Sequence, residues 1–204
     1  MLFVCFLAWV KGQNFNRNYN FVNGGHLIFF DIHATDTGYY ALGTMSDTIN
    51  DVYAGIFSFV ELNGDIRWVK NYARPDTGCA FVNIFEKNNQ FFVCSSWGIR
   101  GAVQNELYSS LWLLDLNGEV IWQKIRSHNN VPSIVLNVFK TDTSLIFTRN
   151  SIDGDFEITK LNQTGDLISS QSILQPNVFF NLYGSFHSKN GNVLLACSDR
   201  KSVV

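Results

Sequence analysis

Short apolar runs alternate with polar turns along most of the chain. One such pair, a polar turn followed directly by an apolar run, occurs four times, and the runs occupy residues 39–42, 91–94, 145–147 and 193–196. Apolar runs of this length, bounded by Gly, Asn, Asp or Thr, are typical of β-strands. Their starts lie 52, 54 and 48 residues apart. A spacing this regular predicts one supersecondary unit that is repeated along the chain.

A second element recurs in phase with the first and contains the sequence Leu-Asn-Gly. Residues 60–68 (VELNGDIRW) recur as residues 114–122 (LDLNGEVIW), so the turn glycines Gly64 and Gly118 lie 54 residues apart. A weaker third copy at residues 160–168 has one extra turn residue and lacks the tryptophan. Asn-Gly is preferred in two-residue hairpin turns, because both central positions can take a positive φ. Each period therefore predicts two hairpins, which together form a four-stranded meander.

The repeats divide the chain into four units. We place them at about residues 26–73, 79–127, 133–174 and 178–204, and the last is truncated before its third strand. Four-stranded units of about 40 to 50 residues that must stack to bury both faces describe the blades of a β-propeller. The predicted fold is therefore all-β: an incomplete β-propeller of about three and a half four-stranded antiparallel blades. Because about four blades are the usual minimum for closure, we expect missing blades or another copy of the chain to complete it.

The Leu-Asn-Gly element resembles the repeat of PQQ-like bacterial β-propellers. The shared pattern is an apolar residue, any residue, Leu, any residue and Gly, followed after the next apolar position by Trp68 or Trp122. The resemblance covers roughly residues 26–200. It implies a propeller fold, but quinoprotein enzymes, assembly scaffolds and surface proteins share this repeat. The Phe- and Asn-rich units also resemble secreted propellers that carry a C-terminal sorting domain, for which this sequence has no counterpart.

The N-terminal residues do not show the alternation of apolar runs and polar turns that marks the repeats. Residues 2–10 form an unbroken apolar run, which is shorter than the roughly 20 residues of a transmembrane helix. With the small Gly12 after it, this run predicts a signal peptide over residues 1–12 and a single repeat domain over residues 13–204, hence an exported protein, secreted or on the cell surface. A basic n-region is missing, so a buried strand is the alternative interpretation. Residues 15–21 could form a strand that completes the final blade.

Composition and charge narrow the classes of partner. The formal charge is −2, with acidic and basic residues intermixed, which gives no electrostatic footprint for nucleic acid or an anionic membrane. No segment after the N-terminal run is long and apolar enough to span a bilayer. Removal of the signal would leave an odd number of cysteines, Cys79, Cys94 and Cys197. Buried thiols are expected at Cys94 and Cys197, and a Cys79–Cys94 disulfide is left open.

Few side chains point to chemistry, and we predict no catalytic residue, no metal site and no cofactor. His33 and His187 are interpreted as solvent-facing strand positions that are equivalent to Glu86 and Lys140 in other units. The carboxylates of residues 153–157 alternate as calcium ligands do, but a turn between two strands explains them better.

Trp97 and Arg100 are the candidate binding residues. They lie in the longest predicted inter-strand connection, and loops carry binding function more often than strands do. Trp68 and Trp122, in contrast, occupy equivalent repeat positions and are expected to pack between adjacent units.

These observations favour a non-catalytic scaffold, secreted or at the cell surface, that contacts an unknown protein or glycan and belongs to a longer protein. The alternative is a fragment of a propeller enzyme, either a quinoprotein-like oxidoreductase or a glycoside hydrolase. A quinoprotein would need a stacked quinone, Ca²⁺ ligands and a full ring of blades. The paired carboxylates of a hydrolase would converge only in the fold.

Overall fold

The computed structural model of the chain describes residues 26–47, 52–72, 77–99, 107–126, 133–141, 143–151, 156–173, 178–187 and 193–201. Within these ranges every regular element is a β-strand, and the strands form four antiparallel sheets. The prediction of an all-β fold is confirmed.

Each sheet is a meander whose strands lie side by side in sequence order. Sheet 1 contains β1 (His26–Ala34), β2 (Gly38–Asp47), β3 (Val52–Glu61) and β4 (Ile66–Tyr72). Sheet 2 contains β5 (Thr77–Lys87), β6 (Gln90–Ile99), β7 (Leu107–Asp115) and β8 (Val120–Arg126). Sheet 3 contains β9 (Ser133–Lys140), β10 (Leu145–Ser151), β11 (Phe156–Leu161) and β12 (Leu167–Ile173). Sheet 4, in the part of the chain that is described, pairs β13 (Val178–His187) with β14 (Val193–Lys201). The predicted four-stranded antiparallel units are confirmed for sheets 1 to 3.

The first strand of every sheet carries a β-bulge at the same place. The ladder to the second strand skips one residue, namely Phe30, Val82, Leu136 and Tyr183 in sheets 1 to 4. A bulge bends its strand and changes the direction in which the next side chain points. The residues that follow the bulge are Asp31, Asn83, Asn137 and Gly184. Together with the pairing register, the bulges define which positions are equivalent from sheet to sheet.

The hairpin turns differ from the predicted ones. At Gly64 and Gly118 the glycine takes the positive φ, 86° and 76° respectively, and Gly64 N–H donates to the Glu61 carbonyl at 2.8 Å. This is a three-residue loop with the glycine at the bulge position, so the prediction of a two-residue Asn-Gly turn was wrong. The two-residue turn with both φ positive lies instead at Asn88 (54°) and Asn89 (58°).

Apolar side chains fill the spaces between sheets 1 and 2 and between sheets 2 and 3. The cluster between sheets 1 and 2 includes Tyr40, Leu42, Phe57 and Phe59 from sheet 1, and Phe81, Phe91, Val93, Trp112 and Leu114 from sheet 2. The cluster between sheets 2 and 3 includes Phe92, Cys94, Leu111 and Leu113 from sheet 2, and Val138, Leu145, Phe147 and Leu161 from sheet 3. Sheet 2 is therefore buried on both faces. Trp68 packs against the first cluster and Trp122 against the second, as expected for residues between units.

Candidate functional site

Trp97 lies within a strand, whereas the sequence placed it in a connection. The ladders pair Trp97 with Cys79 on one side and with Tyr108 on the other. Antiparallel pairing continues past the apolar run of β6, because the polar and small residues after that run still have partners on both neighbouring strands. The prediction of a loop at Trp97 was therefore wrong, and Arg100 lies outside the described residues.

In sheets 1 and 2, the residue that follows the bulge links its sheet to the next sheet. Asp31 Oδ2 accepts hydrogen bonds from the Ile84 N–H at 3.0 Å and from Asn83 Nδ2 at 2.9 Å. Asn83 Oδ1 accepts a hydrogen bond from the Val138 N–H at 3.4 Å. Ile84 and Val138 are equivalent positions. Each lies two residues after the extra residue of its bulge, which is Val82 in sheet 2 and Leu136 in sheet 3. We call this repeated contact the bulge bond.

His33 makes a second polar contact between sheets 1 and 2. Its Nε2 lies 3.0 Å from Glu86 Oε2, each side chain is 30% exposed, and the ring meets the Phe91 ring edge-on at 5.6 Å. The pairing register makes His33 equivalent to Phe85, so the predicted equivalence with Glu86 was wrong by one residue. The interpretation of His33 as merely solvent-facing was incomplete, and the side chain of His187 lies outside the described residues.

The outer strand of sheet 1 holds the hairpin turn of sheet 2. Lys70 Nζ forms an ion pair with Glu119, and the Tyr72 hydroxyl donates to the Gly118 carbonyl at 2.6 Å. Burial, with the nearby charge of Glu119, raises the pKa of Tyr72 far above its ordinary value. We call the lysine–carboxylate contact and its neighbouring turn bonds the latch.

The same latch joins sheets 2 and 3. Lys124 Nζ pairs with Asp166 and donates to the Thr164 carbonyl at 2.7 Å. Hydrogen bonds from Lys124, Thr164 and Asn162 lower the pKa of Asp166 to about 2. The Trp122 ring lies so close to Gly165 that a Cβ there would come within 2.6 Å of it. A glycine is thus required at this turn both for its φ of +79° and for the space that the indole occupies.

Sheet 2 contains a buried, uncharged polar network on the face toward sheet 1. The Ser95 and Ser110 hydroxyl oxygens lie 2.6 Å apart, and the Trp112 indole N–H lies 2.8 Å from each of them. The network satisfies an indole donor that would otherwise be buried without an acceptor.

Sheet 3 contains a buried ion pair at the equivalent positions. Arg149 Nε and Nη2 donate to Glu157 Oε2 at 2.9 and 2.5 Å, and the side chains are 5% and 7% exposed. The other oxygen of Glu157 accepts from Thr159 Oγ1 at 2.8 Å and from Ser170 Oγ. Burial works to raise the pKa of Glu157, but the bonds from Ser170, Arg149 and Thr159 outweigh it and hold that pKa below its ordinary value. Glu157, which the sequence grouped with possible calcium ligands, is thus saturated by protein donors.

The described residues offer little reactive chemistry. Among them, no cluster of three or more His, Cys, Asp or Glu side chains could hold a metal ion. Cys79 and Cys94 are buried and form no disulfide, so the bridge that the sequence left open is not present. Burial raises the pKa of the Cys94 thiol well above its ordinary value, and such a thiol is a poor nucleophile at neutral pH. The polar side chains described above join strands and sheets.

Sequence reasoning missed these polar contacts, although the bulge bond left a readable signal. Asp31, Asn83 and Asn137 recur 52 and 54 residues apart, in phase with the apolar runs, and this period marks the bulge bond. The Arg149–Glu157 pair left no such signal, because the equivalent positions are uncharged in sheet 1 (Gly43 and Ile56) and in sheet 2 (Ser95 and Ser110).

No family model matches the chain, and a search of curated proteins finds no significant match. Within the described ranges there is no helix with the length and apolar character that crossing a bilayer requires.

Proposed function

We propose that this protein is an exported, non-catalytic β-propeller scaffold whose inter-strand connections contact a protein or a glycan. The observation that carries the proposal is the repetition of the same bonds between successive sheets. The bulge bond and the latch each occur between sheets 1 and 2 and again between sheets 2 and 3. The charged and polar side chains described above join neighbouring strands or sheets, which favours a structural and binding role.

The arrangement of the first strands supports a propeller. β1 contacts β5, β5 contacts β9, and β9 contacts β13, as expected if these four strands surround a common axis. The face of sheet 1 that points away from sheet 2 is also covered, since Ala41, Ile56 and Val60 on it are buried. An open array would leave that face in solvent. We therefore propose that the sheets are blades of a propeller ring around this axis, and that the far face of sheet 1 is covered within it.

The ring can be tested with spin-label distances between equivalent exposed positions. Arg67, Ile121 and Ile168 each precede the tryptophan position of their outer strand and are exposed. Pairs of cysteines at these sites would be labelled in a background in which Cys5 and Cys197 are replaced by serine. A four-blade ring predicts that the 67–168 distance is about 1.4 times the two neighbour distances. A linear stack predicts about twice the neighbour distance and would overturn the proposed ring.

The binding role can be tested with the residues that the sequence nominated. The purified chain would be applied to an array of bacterial and plant cell-wall oligosaccharides and to whole cells analysed by flow cytometry. Saturable binding that Trp97→Ala/Arg100→Ala abolishes, and that the matched control Arg67→Ala at the opposite end of a sheet retains, would support the proposal. Dye reduction with added pyrroloquinoline quinone, Ca²⁺ and alcohols or sugars would overturn it.

A further inference from the structure

The three outer strands are attached to their sheets in different ways. β4 and β8 carry Trp68 and Trp122 at equivalent positions, and each indole packs against an inter-sheet cluster. The equivalent position in β12 is Ser169, which pairs with Lys160. Every described side chain of β12, from Leu167 to Ser172, is exposed. This strand therefore lacks the apolar anchor that holds the other two.

A polar contact occupies the neighbouring position on β12. Ser170 Oγ donates to the buried Glu157 carboxylate of β11, and its own pairing partner Thr159 donates to the same carboxylate oxygen. Arg149 on β10 completes the set through the other carboxylate oxygen. One exposed hydroxyl thus reaches a buried charge that two inner strands hold in place.

The positions equivalent to Ser170 and Glu157 make different contacts in the other two sheets. In sheet 2, Gln123 Nε2 lies 3.5 Å from the Ser110 hydroxyl, a long neutral contact beside an anchored tryptophan. In sheet 1 the two positions are the apolar residues Val69 and Ile56. Only in sheet 3, among the described residues, is the contact made to an ionised group, and hydrogen bonds to charged groups are about twice as strong as neutral ones.

We infer that the Ser170–Glu157–Arg149 contact is a polar clamp that holds β12 to sheet 3 in place of a tryptophan, and that β12 is the outer strand that detaches first. A single charge-assisted bond replaces the burial of a large ring, so the free energy of local opening is lower for β12 than for β4 or β8. Its detachment would expose the edge of β11, which is the kind of edge that accepts a strand from another chain.

Native-state hydrogen exchange of the full chain, read by mass spectrometry on peptides from β4, β8 and β12, tests this inference. We expect the β12 amides to exchange about tenfold faster than those of β4 and β8. Ser170→Ala should accelerate β12 by a further factor of about ten, while β8 stays unchanged. Ser170→Thr, which keeps the hydroxyl, should retain the wild-type rate.

Ser172→Ala is the matched control, since Ser172 is an exposed residue of the same strand. Equal protection of β12 and β8 in the wild-type chain would overturn the inference. So would a Ser170→Ala effect no larger than that of Ser172→Ala, or an effect spread equally over all three outer strands. Because the readout is strand-specific exchange, it is independent of whether the chain binds a protein or a glycan.

Discussion

At one position of the ladder between second and third strands, sheet 2 places Ser95 opposite Ser110, and sheet 3 places Arg149 opposite Glu157. Both pairs are buried and both point toward the preceding sheet. In sheet 2 the hydroxyls accept from an indole, and the site stays neutral. In sheet 3 a guanidinium and a carboxylate neutralise each other, and hydroxyl groups supply the remaining donors.

The comparison separates what the backbone fixes from what it leaves open. Pairing register decides that this position is buried, and burial demands that every polar atom there find a partner. It does not decide whether the partners are neutral or charged. A buried ion pair loses hydration as well as gaining attraction. The stability of the protein should therefore change by different amounts when one member of the charged pair or of the neutral pair is removed.

The largest difference is expected when one charge of the sheet 3 pair is removed. Arg149→Met leaves Glu157 buried without its cation and should lower the free energy of unfolding by about 3 to 5 kcal/mol. The double variant Arg149→Met/Glu157→Leu should recover most of this loss, because it leaves no unpaired charge. Urea unfolding monitored by tryptophan fluorescence measures both. A double variant as unstable as the single one would mean that the ion pair itself stabilises the sheet.

Removing acceptors from the sheet 2 network should have a smaller effect. Ser95→Ala/Ser110→Ala leaves the Trp112 indole N–H without its two acceptors and should cost about 1 to 3 kcal/mol. Either single alanine variant leaves one acceptor, so its cost should be well under half of the double. The same unfolding measurement applies. Adding Trp112→Phe should cost less in the double variant than in the wild type, and an equal cost would show that the indole bonds contribute nothing.

Acid should destabilise the protein through sheet 3 and not through the equivalent site of sheet 2. The pKa of Glu157 is lower in the folded chain than in the unfolded one. Its stabilising contribution is therefore complete above the unfolded value of about 4.3 and is lost as the pH falls through the folded pKa. Unfolding free energies from about pH 6 to about pH 3 should fall less steeply in Glu157→Gln than in the wild type. Ser110→Ala should keep the wild-type slope, and a shared slope for all three proteins would contradict the assignment.

The smallest effects are expected at the two latches. The latch between sheets 1 and 2 and the latch between sheets 2 and 3 are built alike. Glu119 is largely exposed and Lys70 is partly exposed, so Lys70→Met should change stability by at most about 1 kcal/mol, and salt should reduce the difference. Lys124→Met should have no larger effect than Lys70→Met. Thermal melts at low and high salt measure both. A markedly larger loss at one latch would show that the sheets differ at their exposed turns as well as in their cores.

The sequence carried most of the information about strands and little about the polar interior. Turns recur in phase with apolar runs, so the four-stranded units could be read directly, and Trp68 and Trp122 do occupy equivalent ladder positions, opposite Phe59 and Leu113. These features depend on local composition and on a period that the chain repeats several times. The bulges were not predicted, because the extra residues Phe30 and Val82 are apolar like their neighbours.

The remaining failures concern long-range pairing. Trp97 was assigned to a loop because the apolar run ends at Cys94, yet small and polar residues continue the ladder as long as the neighbouring strands do. Arg149 and Glu157 lie eight residues apart on opposite sides of a connection, and only the hairpin register brings them together. A single sequence contains no second copy of that pair from which to infer it.

The bulge bond is asymmetric: one sheet supplies a side-chain oxygen, and its neighbour supplies a main-chain N–H, to which sheet 2 adds the side-chain amide of Asn83. The main-chain part of this contact therefore needs no particular residue in the receiving sheet. Excision of residues 79–132 would leave the Asp31 carboxylate free to accept the same N–H from Val138. At this contact, duplication, loss or exchange of whole units needs no matched change in the adjoining unit, and such a junction lets a gene lengthen or shorten in steps.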